Sequence, residues 1–277
     1  MPSLKGRTLF ITGATRGIGR QIALRAAQDG ANIVVAAKTA VPDPRLPGTI
    51  YTAASDIEQA GGRALPVVVD VRDEAQVMRA VELAVERFGG IDILINNASA
   101  IHLRNILETP IKRYDLMMDI NVRGSFVCAQ ACLPHLLKSD NPHVLSLAPP
   151  ISMQGRWFSE HAAYTTSKFA MSMMALGIAE EFREQGVAGN TLWPRTLIAT
   201  SALSIAGPDR TEKARVPAIM ADAAYWILTQ PSREVTGQHF IDEEVLRRVG
   251  VSSFEHYAAT PGVDPEIDLF VDESANR

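Results

Sequence analysis

The chain has 277 residues, 47% hydrophobic and 21% charged, which is ordinary globular composition with enough apolar material for a large core. A formal net charge of −4 with no Lys/Arg-dense block argues against nucleic acid or an anionic membrane as the main partner, leaving small molecules or copies of the same chain. Only Cys128 and Cys132 occur, four apart and without a Cys-x-x-Cys pattern, so they read as free buried thiols in a reducing compartment.

The N-terminus, MPSLKGRTLF, enters a strand almost at once, leaving no room for a signal peptide, and no apolar run reaches the length of a membrane span. The C-terminus reads SANR, with no Ser-Lys-Leu-like address, so the expected location is the cytoplasm. The first predicted strand, Thr8–Thr12, runs into Gly13, Gly17 and Gly19, and a helix is expected over 18–28. Glycines at a strand-to-helix turn allow backbone conformations closed to other residues and let a ligand approach the main chain. The helix N-terminus then offers unpaired N–H groups and partial positive charge to a phosphate. The spacing, G-x-x-x-G-x-G, lacks the Gly-Lys-Ser/Thr ending of a P-loop and argues against a nucleotide triphosphatase. An ordinary glycine-bearing turn has the same composition, so the loop alone does not decide.

The second strand, Asn32–Ala37, ends in Lys38, where an NAD-binding site would want a carboxylate for the ribose hydroxyls. With Arg16 in the glycine loop, Lys38 suits the extra 2′-phosphate of NADP. Three prolines follow in TAVPDPRLPG, a restricted loop beside the adenosine end of such a site. Helices are expected over 49–60, 73–88, 110–137, 161–185 and 217–229, and further strands over 64–70, 91–96, 143–148, 187–193 and 239–242. Pro66 inside the third strand points to a sheet edge, because proline cannot donate a ladder hydrogen bond. Alternating strands and amphipathic helices, with no repeat or linker, predict one α/β domain over 1–250 with a doubly wound, mostly parallel seven-stranded sheet in the order 3-2-1-4-5-6-7. The segment 200–216 is expected to form a lid without a legible motif. Residues 251–277 are expected to form an irregular acidic tail that packs on the domain or on a neighbouring subunit.

Tyr164 and Lys168 stand four apart in YTTSK and share a helix face. A neighbouring ammonium favours the phenolate and lowers a tyrosine pKa from its usual value of about 10, making an acid/base usable near neutrality. The six histidines form no compact ligand set, and no metal is expected.

The motifs TGATRGIG (12–19), Asp70-Val71, NNAS (96–99), Asn121, YTTSK (164–168) and NTLWPRT (190–196) together resemble the short-chain dehydrogenase/reductase family over nearly the whole chain. The resemblance implies a single Rossmann-type domain and an NADP(H)-dependent oxidoreductase acting on a carbonyl or alcohol, with Tyr164 as acid/base. Lys168 would hold the ribose and tune the tyrosine, and Asn121 would order a proton-relay water. Gly13, Thr15, Arg16, Gly17, Ile18 and Gly19 would cradle the phosphates and Lys38 the 2′-phosphate. Asp70 and Val71 would meet the adenine, and Asn97 and Ala98 the ribose. Pro194, Thr196 and Ile198 would lie against the carboxamide. A homodimer or homotetramer is implied by resemblance only.

Two departures stand out. The usual Pro-Gly after the sixth strand is Pro194-Arg195 here, and the serine pair that usually ends the fifth strand is replaced by Ala148 and Pro149. Ser146, inside the strand, reads as structural, and Ser152 is the candidate to swing in as substrate-binding hydroxyl. The loss of that serine keeps open a second reading, a catalytically weak NADP(H)-binding sensor or scaffold.

Overall fold

The computed structural model describes residues 3–44, 46–206 and 210–272. Residues 207–209 of the expected lid, 273–277 of the expected tail and Arg45 of the proline-rich loop lie outside the described residues. Seven strands form one sheet in the order β3-β2-β1-β4-β5-β6-β7, and every pairing is parallel. They are β1 (Thr8–Thr12), β2 (Asn32–Ala37), β3 (Arg63–Val68), β4 (Ile93–Asn96), β5 (His143–Ser146), β6 (Ala188–Trp193) and β7 (His239–Ile241). Pro66 pairs with Val35 on the edge strand β3, where its missing N–H interrupts no second ladder.

Successive residues feed opposite faces, so the central strands are buried throughout. Leu9, Ile11, Ile33 and Val35 pack beneath α1 (Gly17–Ala27), α2 (Ile50–Gln59) and α8 (Ala218–Thr229). Phe10, Val34, Leu94 and Val144 pack beneath α3 (Glu74–Phe88) and α5 (Gly124–Leu136). Local chemistry sets the helix ends. Thr49 and Thr52 form a reciprocal capping box at the start of α2. Asp73 accepts from the Gln76 N–H at 3.1 Å to open α3, which closes on Gly89 in the left-handed region. Cys128 and Cys132 are free and buried in α5, and burial pushes the Cys128 thiol up to about 12.

The expected helix over 110–137 is instead α4 (Ile111–Met117), a π-helical turn (Met118–Arg123) and α5. The strands are shorter than expected at several ends, so Val69, Asp70 and Val71 form a loop past β3, and Leu147 to Pro149 a loop past β5. Two helices were not expected, α7 (Ser201–Ala206) and α9 (Asp242–Arg248); the second begins where β7 stops. The C-terminal segment runs beside residues 195–197, which follow β6. Thr196 bridges Ile267 in antiparallel fashion, the Asp268 N–H donates to Arg195 O at 3.0 Å, and the Leu197 N–H donates to Glu266 O at 2.9 Å. No helix of the described residues is long and apolar enough to cross a membrane.

Candidate functional site

The parallel sheet presents the carboxyl ends of its central strands to a single cleft of about 540 Å³, within the range of small-molecule sites. At its floor is the turn after β1. Gly13 and Gly17 have φ of +69° and +56°, the left-handed region that side chains disfavour. Asn97, past the end of β4, clamps this turn: its Nδ2 donates to Thr12 O at 2.7 Å and Gly13 O at 3.2 Å. A Cβ on Gly19 would stand 2.4 Å from that nitrogen, so Gly19 is a packing requirement. Gly13, Thr15, Arg16 and Ile18 line the cleft; Gly17 and Gly19 shape the turn without lining it. No side chain caps the start of α1 and no acidic residue occupies its first turn, so backbone donors and the positive helix end stay available to an anion.

Around the outer end of the cleft, Arg16 bonds Thr39 Oγ1, Pro47 O and Gly48 O, each at 3.1 Å, and so ties the proline-rich loop to the glycine turn. Lys38 lines the cleft with a half-exposed side chain, 3.9 Å from Asp70. The Asp70 carboxylate is gripped by Arg72, which holds it below the usual carboxylate range. An adenine contact through that carboxylate would have to compete with Arg72. Val71 and Ala98 also line the cleft.

At the inner end are Tyr164 and Lys168, on one buried face of α6 (Ala162–Glu181). Lys168 Nζ donates to Leu147 O at 2.8 Å and lies 5.4 Å from the Trp193 ring centroid. Burial lowers its pKa to about 7, against a smaller upward effect of Asp268. Burial, then the charge of Asp268, raises that of Tyr164. The lowering of the tyrosine by its lysine, expected from the spacing, is therefore outweighed in the protein by itself: desolvation is the larger effect.

Asn121 sits in the π-helical turn, a feature often found at functional sites. Its Nδ2 donates to Ala100 O at 2.9 Å and Ser167 Oγ at 3.0 Å, while its Oδ1 accepts from the Ala100 N–H at 2.7 Å and Ser99 Oγ at 3.1 Å. Those four bonds saturate an amide. The side chain is a clamp between the loop after β4 and α6, not a free ligand for a relay water.

The family model for short chain dehydrogenase matches residues 7–206, which span the glycine turn, Asn121, Tyr164 and Lys168. The chain belongs to the short-chain dehydrogenase family. That family uses nicotinamide cofactors, NAD(P)(H), on small-molecule substrates. The chain is 57% identical over 270 residues to hydroxysteroid dehydrogenase-like protein 2 of Danio rerio, covering 97% of this chain and 65% of that protein, and it spans between 51% and 65% of the length of such curated relatives. A solved structure from Xanthomonas campestris described as a dehydrogenase aligns with a TM-score of 0.95 at 54% identity, over 98% of this chain and 100% of that one. A short chain dehydrogenase from Mycobacterium paratuberculosis, solved bound to NAD, shares the fold at a TM-score of 0.73 and 24% identity, over 86% of this chain and 97% of that one.

Within this short-chain dehydrogenase the departures have structural consequences. Arg195, in place of glycine, reaches to 3.7 Å from Glu243, a buried carboxylate that Arg215 and Arg247 also approach, at 2.6 and 3.2 Å. The Arg195 N–H donates to Asp242 Oδ1 at 2.9 Å. The altered bend is thus tied to α9 and, through Arg195 O, to the C-terminal segment. Pro194 and Ile198 line the cleft. Thr196 lies just behind it, with a buried hydroxyl that has no hydrogen-bond partner among the described residues.

Ser152 does not line the cleft; its Oγ accepts only a long 3.4 Å bond from the Gln154 N–H. The expectation that it swings in as the substrate hydroxyl is not met in this conformation, in which Ser152 lies three residues past the Pro149 that Ser172 of α6 holds. Ser146 is buried within β5, accepting from Asn96 at 3.5 Å. Ser172 donates to Pro149 O at 2.6 Å and pins that turn.

Sequence reasoning missed the contribution of the C-terminal segment. Asp268 and Leu269 line the cleft, and Trp193 Nε1 donates to Leu269 O at 2.7 Å. Phe270 is buried with φ +68° and touches the rings of Trp157, His161, Tyr164, Phe169 and Trp193. The apolar run Ile267, Leu269, Phe270, Val271 inside an otherwise polar tail was the available signal. Among the described residues no group of three or more His, Cys, Asp or Glu side chains could hold a metal ion.

Proposed function

We propose that this chain is an NADP(H)-dependent oxidoreductase that interconverts a carbonyl compound and an alcohol, with Tyr164 as acid/base. The observation that carries the reading is the convergence of the glycine turn, Lys38 and the Tyr164–Lys168 pair on one cleft. The donor set suits a dinucleotide: the start of α1 offers uncapped N–H groups for phosphates, and the glycine turn lets a ligand approach the main chain. When bound, the nicotinamide supplies or accepts the hydride.

The protein's own groups do the rest. Tyr164, kept protonated by burial, donates its proton to the carbonyl oxygen during reduction; such positioned acids contribute roughly 10²–10⁴ in rate. Lys168 orients the ribose and offsets charge left on the tyrosine. Asn121 holds the loop after β4 against Ser167, next to Lys168. Lys38 pairs with the 2′-phosphate that separates NADP from NAD, while Arg16 contributes chiefly by fixing the surrounding loop. The reductase domain takes in the C-terminal segment, whose Asp268, Leu269 and Phe270 build the cleft and core beside Tyr164; the working form is a cytoplasmic homodimer or homotetramer.

One observation favours a second reading, a weakly catalytic NADP(H) sensor or scaffold: no serine hydroxyl from the end of β5 or from Ser152 reaches the cleft. Calorimetric titration with NADP(H) and NAD(H), followed by NADPH absorbance over aldehydes, ketones, sterols and acyl-thioesters, separates the cases. NADP(H) is expected to bind at least about tenfold more tightly, a difference of about 1.4 kcal/mol, and Lys38→Ala to erase that preference. Equal affinities defeat the cofactor assignment. Tight NADP(H) binding with no turnover of any substrate favours the sensor.

A further inference from the structure

One cleft-lining side chain has no part in the roles assigned above. Around Tyr164, the other polar side chains lining the cleft are committed: Ser99 donates to Asn121, Lys168 to Leu147 O, the Trp193 indole to Leu269 O, and Arg210 to Glu266 at 2.6 Å. Asp268 is different. Among the described residues its carboxyl takes a single hydrogen bond, from the Leu269 N–H at 2.6 Å, and its second oxygen takes none. The backbone that carries it is fixed on both sides, by Asp268 N–H to Arg195 O before it and by the Phe270 ring after it. A bulky residue at φ +68° is strained, and such strain persists only where the surroundings over-determine it. Here five rings and the Trp193 bond do so, and the effect is to present Asp268 to the cleft.

We propose that Asp268, in its neutral form, donates a second hydrogen bond to the substrate carbonyl oxygen beside Tyr164, supplying from the C-terminal segment the donor that the end of β5 lacks. The inference rests on the carbonyl chemistry proposed above. A carboxylic acid kept neutral by apolar surroundings is a competent donor at a developing oxyanion. The groups facing Asp268 set its state. Tyr164 and Lys168 lie across the cleft on α6, Arg210 and Glu266 flank it on the lid and on its own segment, and Asp242 approaches from the start of α9. Leu269, Phe270 and Trp193 supply apolar walls and His161 faces the Phe270 ring. Burial, with the carboxylates Asp242 and Glu266, outweighs the lowering by the Leu269 N–H bond and by Arg210, whose guanidinium is engaged with Glu266, and pushes Asp268 up to about 7. Asp268 keeps its proton throughout; the proton that moves to the substrate is that of Tyr164.

The test uses an unreactive carbonyl, octanamide, titrated calorimetrically into the NADP(H) complex of the full chain. For the wild type, affinity is expected to fall about tenfold or more between about pH 6 and pH 8.5, as the donor ionises. Asp268→Asn retains a donor that does not titrate, so it is expected to bind within about threefold of the wild type at low pH and to lose the pH dependence. Asp268→Ala is expected to bind the amide about tenfold more weakly at pH 6, with NADP(H) affinity unchanged. Should the Ala variant fail to fold, the flat profile of the Asn variant decides by itself. Wild-type affinity that is flat or rises with pH, an Asn variant as weak as Ala, an Ala variant as strong as wild type, or no amide binding at any pH each overturns the proposal. Amide binding as described without turnover of any carbonyl defeats the proposed activity and leaves the Asp268 assignment standing.

Discussion

Lys168 illustrates how one residue's surroundings reverse a reading made from spacing. Paired with Tyr164 four residues away, it suggests an ammonium that acidifies a phenol; in the protein its amine is enclosed by Leu147 O, Met171 and the Trp193 ring, and burial brings it to about 7. An unfolded lysine keeps its proton to roughly pH 10.4. Between those values the unfolded chain holds a proton that the folded chain has released, so stability declines as pH falls from about 10 to 7, and below 7 the full cost of a buried charge is present. Lys168→Met, which removes the charge, is therefore expected to melt higher than the wild type, by a margin that grows as pH falls from about 9.5 to 6.5. A margin independent of pH in cofactor-free thermal melts would contradict this account. At Tyr164 the matching expectation concerns chemistry: Tyr164→Phe removes one hydroxyl, so turnover is lost by roughly 10² or more while NADP(H) affinity stays nearly unchanged. Substantial activity in the Phe variant, measured by NADPH absorbance, would require another acid.

At the scale of elements, the strand-turn-helix unit of β1 and α1 was legible because glycine is the residue that such a turn demands. Gly13, Gly17 and Gly19 nevertheless serve different needs: two supply left-handed backbone, and Gly19 leaves room for the Asn97 amide. Gly19→Ala forces Asn97 away from Thr12 O and Gly13 O. The loss of those bonds is expected to cost about 1–3 kcal/mol, seen as a lower melting temperature, and to weaken NADP(H) in calorimetry. Unchanged stability would mean that the clamp is dispensable. The π-helical turn around Asn121 was not legible. A continuous apolar pattern over 110–137 fits an unbroken helix, whereas the extra residue in that turn goes with four side-chain bonds from Asn121 to Ser99, Ala100 and Ser167, which lie far from it in the chain.

For the whole molecule, the consequential feature is the return of the C-terminal segment to the cleft. Phe270 fills a socket of five rings drawn from β6, α6 and the segment before α6. Phe270→Ala is expected to cost about 3–5 kcal/mol, the range for a large-to-small change at a buried aromatic. At about 2–4 °C per kcal/mol for a chain of this size, that is a fall in melting temperature of roughly 10 °C. The same variant is expected to weaken octanamide binding by releasing Asp268, and to weaken NADP(H) less, because the glycine turn and Lys38 at the other end of the cleft are untouched. A small change in melting temperature would show that the socket collapses around the cavity.

Local residue chemistry determined the alternation of strands and helices, the edge character of β3 through Pro66, the glycine turn and the shared helix face of Tyr164 and Lys168, because each follows from periodicity or from what one residue type permits; the strand order followed from the doubly wound pattern that such alternation implies. Tertiary structure decided which charges are free and which donors reach the cleft. Arg16 bonds the proline-rich loop, Arg72 holds the Asp70 carboxylate, Ser152 stays outside, and Asp268 arrives from more than a hundred residues away in the chain. Those outcomes depend on long-range contacts and on desolvation, neither of which is encoded in the spacing of neighbouring residues.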